Sequence, residues 1–114
     1  MNIIKTIPAK LSNKTLYDLT MSPKTRKMSE AKGTVLELQA VALYEDTDRN
    51  GEIREVLSIQ TPDGECFATN SSTFMDDFKK MLDVFGDDGI PAIEVISGRS
   101  KAGREFLTCA YAGE

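Results

Sequence analysis

Histidine is absent from this 114-residue chain, and with it the commonest general base and the commonest metal ligand. No G-x-S-x-G, phosphate-loop or Cys-x-x-Cys pattern occurs either, so the sequence reads as that of a non-enzymatic protein. Tryptophan is missing, and the aromatics amount to five Phe and three Tyr. There are two cysteines, Cys66 and Cys109, each inside a strand-like run where a free thiol is a small buried hydrophobe. No apolar run approaches the roughly 18–20 residues that a membrane helix needs. The opening Met-Asn-Ile-Ile-Lys-Thr-Ile-Pro also lacks the apolar stretch of a secretory signal. These absences lead us to expect one cytoplasmic domain with no membrane association and no cofactor.

Charge is unevenly spread. The net value of −4 combines +5 over residues 1–32, −10 over residues 33–96 and +1 over residues 97–114. The acidic middle excludes a uniform polyanion-binding surface. It leaves a basic stripe built from the N-terminal residues, with Lys24, Arg26 and Lys27 in an exposed loop, and from a last loop near the C-terminus.

From residue 33 the pattern alternates. Leu36, Leu38, Ala40, Ala42 and Tyr44 are apolar at every second position, which predicts one half-buried strand over residues 34–44. Asn50-Gly51 marks a hairpin turn. The next strand covers residues 53–61, with Ile53, Leu57 and Ile59 on one face and Arg54, Val56, Ser58 and Gln60 on the other. Pro62-Asp63-Gly64 turns the chain into a short third strand at residues 66–70. A helix follows. Ser71, Ser72 or Thr73 caps it, Phe74, Phe78, Met81, Leu82 and Phe85 recur at helical spacing, and Gly86 stops it. Asp87-Asp88-Gly89 and Pro91 then lead into two further strands. Within residues 1–32 only a short helix opened by Ser12 or Asn13 is signalled.

The order β-β-β-α-β-β is that of a five-stranded Greek-key barrel, the OB-fold, with one helix between strands 3 and 4. The expected fold class is therefore mainly β: residues 1–32 form a basic N-terminal extension and residues 33–114 the barrel.

One motif needs separate treatment. Asp46-Thr47-Asp48-Arg49-Asn50-Gly51-Glu52-Ile53 matches the first eight positions of an EF-hand loop. The twelfth position, which should be a bidentate glutamate, is Leu57, and both flanks read as strands. A hairpin turn accounts for the same residues.

The segment Gly98-Arg99-Ser100-Lys101-Ala102-Gly103-Arg104 carries three cations and no anion between two apolar runs. Arg99, Lys101 and Arg104 suit phosphate oxygens, and its position matches the loop between strands 4 and 5 that often touches nucleic acid in OB-folds. Single-strand binders also need aromatic platforms for bases. The candidates are Tyr44, Phe67, Phe106 and Tyr111, although for any one of them a place in the core is the favoured reading.

Residues 33–46 (GTVLELQAVALYED) and 96–111 (ISGRSKAGREFLTCAY) resemble a small bacteriophage single-stranded DNA-binding protein. The resemblance implies an OB-fold protein that coats replication intermediates, shields them from nucleases and removes hairpins ahead of a polymerase. It places Arg99, Lys101 and Arg104 on the DNA backbone, with Arg54 and one or more aromatics on the sheet. The partner would be single-stranded DNA, bound without sequence preference and with scope for self-association into a dimer or cooperative assembly. Two departures stand out: no acidic tail of the bacterial kind is present, and residues 1–32 have no obvious counterpart. They are left as a DNA contact, a subunit bridge or a cap. Two rival readings remain open. One is a protein-interaction or structural assembly module on a small barrel, and the other is a metal-dependent enzyme using the carboxylates around Asp46.

Overall fold

The computed structural model describes residues 1–86 and 89–113, so Asp87 and Asp88 of the expected turn lie outside the described residues. Among the described residues eight strands and two α-helices form: β1 (Asn2–Ile7), α1 (Asn13–Thr20), β2 (Arg26–Lys27), β3 (Val35–Glu37), β4 (Ala40–Thr47), β5 (Ile53–Gln60), β6 (Cys66–Thr69), α2 (Ser72–Phe85), β7 (Ala92–Arg99) and β8 (Glu105–Tyr111). A 3-10 turn, Met28–Ala31, follows β2.

The strands assemble into two sheets, one of order β1-β4-β5-β6-β2 and one of order β3-β7-β8. The mainly β expectation therefore holds, but a closed five-stranded barrel does not form. Closure would need β6 to pair with β8. Instead β2 takes that edge of β6 in parallel register, Arg26 opposite Phe67 and Lys27 opposite Ala68. Residues 1–32 thus supply both edges of the larger sheet, since β1 pairs antiparallel with β4. The 3-10 turn buries Met28 and Ala31 in the main core.

The strand predicted over residues 34–44 is two strands. At the break, the Leu38 N–H donates to Pro91 O (3.0 Å) on the three-stranded side, and the next residue, Gln39, donates to Gln60 O (2.7 Å) on the five-stranded side. The chain thus crosses between sheets, and the face that looks inward changes parity. Leu36 and Leu38 pack on the main core before the break, Val41 and Leu43 after it. The apolar residues Ala40, Ala42 and Tyr44 instead join a second cluster beneath Leu19 of α1. Apolar side chains on both faces of β4 are therefore buried, which a half-exposed strand would not show.

α2 forms as predicted. Ser71 Oγ accepts from the Phe74 N–H at 3.3 Å, and Gly86 is the C-cap. Phe74 and Phe78 are fully buried against Leu57, Ile59, Ile93 and Val95 from both sheets. At ~25 cal/mol per Å2 of apolar surface, such aromatic side chains are the largest single contributors to the core. The five-stranded sheet is thus covered by α2 and the small sheet on one face and by α1 on the other.

Candidate nucleic-acid interface

The β7–β8 hairpin is the best-defined feature of the candidate site. Its register runs from Ile93 opposite Tyr111 to Arg99 opposite Glu105. The tip closes with Ser100 N–H on Arg104 O and Gly103 N–H on Ser100 O, both 2.9 Å. Ser100 Oγ accepts from the Arg104 N–H at 3.2 Å. Gly103 sits at φ +82°, a region that side-chain-bearing residues seldom enter. The result is a tight tip that carries Arg99, Lys101 and Arg104 into solvent. None of the three has an ion pair among the described residues.

Next to this tip lies a groove of about 670 Å3 along the seam between β6 and β8. β8 supplies one wall through residues 105–107, and β6 with its following loop supplies the other through residues 68–71. Val56 and Ala68 provide apolar lining, and Lys27 and Asn70 add polar groups. Phe106 is 37% exposed there. Its ring lies against Gly98, the residue paired with it, so closely that a Cβ at position 98 would fall 2.7 Å from Cζ. Glycine is what allows the ring to rest there. Among the described residues Glu105 is the one carboxylate on the groove wall, and Lys32 holds it at 3.1 Å.

The other sequence candidates scatter. Arg54 pairs with Asp48 (3.0 Å) and more loosely with Glu52 (3.9 Å). It lines a second, smaller hollow that shares Asn70 with the main groove. Arg26 is held by Glu65 (2.9 Å) and Glu30 (3.5 Å) and stacks its guanidinium 5.2 Å from the Phe67 ring centroid. With Lys24 it lines a separate hollow that also contains Asp18, Asp63 and Glu65. Two aromatic candidates are core residues: Phe67 belongs to the main cluster, and Tyr44, 5% exposed, lies in the cluster under α1. Burial, and secondarily Asp46, pushes the Tyr44 hydroxyl pKa up. Tyr111 is partly exposed but packs on Phe85 with ring centroids 4.9 Å apart. It lies five residues, about 17 Å, along β8 from Phe106 and on the opposite face.

The structure therefore gathers Arg99, Lys101 and Arg104 on one hairpin tip, and it places Phe106 and Lys27 in the groove that the following strand lines. Sequence reading missed Asn70 and Thr69 as groove residues. They precede the α2 cap and carry no signal beyond that. The EF-hand-like segment is an Asx-type turn: Asp48 Oδ1 accepts from the Asn50 and Glu52 N–H groups at 2.8 and 3.0 Å, and its Oδ2 from Arg54. The Glu52 N–H, then Arg54 and the Asn50 N–H, hold its carboxyl below the usual range. Among the described residues no group of three or more potential ligands is placed to hold a metal ion, and no helix is long and apolar enough to cross a membrane.

Cations without ion pairs among the described residues thus sit on a hydrogen-bonded hairpin tip, next to an open groove with a partly exposed aromatic ring, in a small mainly β protein. The chain matches the family described as Phage Single-stranded DNA-binding protein, the phi29 type, over residues 14–111, and it belongs to that family. The match begins within α1 and takes in β2 through β8, leaving β1 outside it. No curated protein and no solved structure matches the chain.

Proposed function

We propose that the protein coats single-stranded DNA without sequence preference during phage replication, in the cytoplasm of the host. The observation that carries this is that Arg99, Lys101 and Arg104, exposed and without ion pairs among the described residues, share the hairpin tip whose following strand lines an open groove, in a member of this family. Guanidinium and ammonium groups on such a tip pair with backbone phosphates irrespective of sequence. The groove beside them has room for unstacked nucleotides. Protection from nucleases follows from covering the strand, so the role needs neither catalysis nor a cofactor. Arg54, Lys27, Arg26 and Lys24 would add weaker contacts, the ion-paired ones only by exchanging a carboxylate for a phosphate. A base would reach Tyr44 only if α1 moved.

The OB-fold relationship also belongs to this reading. A bent first strand (β3 and β4) pairs with β5 on one side and β7 on the other, and α2 separates β6 from β7. These pairings support reading the fold as an OB plan left open between its third and fifth strands. Fluorescence anisotropy of a labelled oligo-dT of about 30 nucleotides, beside a duplex of equal length, tests the function. Binding to the single strand that exceeds duplex binding and weakens with salt is expected. Equal or absent binding at low salt would reject the proposal in favour of a protein-interaction module.

A further inference from the structure

We propose that the groove between β6 and β8 is a base-binding subsite, with Phe106 as its stacking platform and Lys27 and Arg104 holding the flanking phosphates. The inference rests on the single-strand reading above and goes beyond it by assigning the base contacts.

Phosphate pairing at the hairpin tip cannot by itself tell a single strand from a duplex, because both present the same backbone. Discrimination has to come from a surface that only unstacked bases can use. The groove supplies one. Its volume falls within the range of about 300–1,000 Å3 usual for ligand clefts. Val56 and Ala68 give it an apolar lining, and Phe106 is the aromatic residue on its wall. The ring is positioned in advance, because it occupies the space above Gly98 that any other residue's Cβ would take. Stacking on it therefore costs little ordering.

Charge around the groove suits the same ligand. Lys27, on the wall opposite β8, has no ion pair among the described residues. Arg104 immediately precedes the residues of β8 that line the groove. The carboxylate of Glu105, which would repel phosphate, is engaged by Lys32. A strand crossing from the tip into the groove thus meets cations on either side of the ring.

Because the chain contains no tryptophan, a single one reports on its own position. We would introduce Phe106→Trp and, as a control, Val84→Trp. Val84 lies on α2, 81% exposed and outside the groove. Each variant would be titrated with oligo-dT and with an abasic strand of equal length. The expected result is quenching of Phe106→Trp emission by oligo-dT but not by the abasic strand, with Val84→Trp unresponsive to both. Phe106→Ala, confirmed folded by circular dichroism, is expected to lose roughly 10-fold in affinity for oligo-dT and little for the abasic strand. If the unmodified protein binds oligo-dT while Phe106→Trp stays silent and Phe106→Ala binds unchanged, the subsite is wrong and single-strand binding stands on the hairpin alone. If the unmodified protein binds no oligo-dT, the functional reading fails with it.

Discussion

Two buried or half-buried contacts show how much single positions decide here. Gly98 has no side chain so that Phe106 can lean across the β7–β8 hairpin. Ser58, on β5 between Ala42 and Ala68, is fully buried, and its hydroxyl has no hydrogen-bond partner among the described residues. An unpaired buried hydroxyl costs free energy that an apolar residue of similar size avoids. Ser58→Ala is accordingly expected to raise stability by about 1 kcal/mol. The urea midpoint should move up with no change in the slope of the transition, whereas a lower midpoint would mean that the hydroxyl is satisfied after all. At this scale the sequence was partly readable. The three hairpin cations stood out because charge clustered between two apolar runs. Phe106 did not separate itself from Tyr44, Phe67 and Tyr111, because one chain's aromatics look alike until the packing of each is known.

Among the elements, α1 has the most influence on what the large sheet can do. It lays Leu19 over Ala40, Ala42 and Tyr44 and so converts an exposed sheet face into a second core. Leu19→Ala should cost about 2–5 kcal/mol, the usual range for a buried leucine. It should also loosen α1 over Tyr44, which a rise in tyrosine accessibility to a neutral quencher would register. A loss under 1 kcal/mol with Tyr44 still shielded would show that α1 does not hold this face closed. α2 was predictable end to end, since its cap, its apolar spacing and its terminating glycine all agree. β1 and β2 were not. β1 has an irregular register between Ile3 and Lys5, and β2 has only two residues, so neither leaves a period in the sequence. The break at Leu38–Gln39 was hidden for another reason. An unbroken alternation of apolar residues reads as one face, while the structure shares it between two cores.

At the scale of the whole molecule, the pH response follows from groups the core keeps neutral. Burial, with a smaller push from Asp77, raises the Cys109 thiol from 9.0 to about 12. Burial also raises Tyr44. In the unfolded chain both lose their protons at lower pH than in the folded one, so the native state binds more protons across that window. Their contribution is intact below about pH 9 and is lost as pH climbs from there towards 12. Denaturant midpoints should therefore fall in that range and fall less in Cys109→Ala. A midpoint that stays flat in alkali would contradict the buried placement of these groups.

The overall charge pattern was the most readable property of all, and it leads to the decisive measurement. Binding to oligo-dT should be followed over a series of salt concentrations for the unmodified protein and for the Arg99→Ala, Lys101→Ala, Arg104→Ala triple variant. Each phosphate contact contributes about 0.7 to the slope of log K against log salt on a single strand. Loss of three contacts should therefore make the slope shallower by about 2, together with a large fall in affinity at low salt. An unchanged slope would place the phosphate contacts elsewhere and contradict the account of the β7–β8 hairpin as the DNA-holding element.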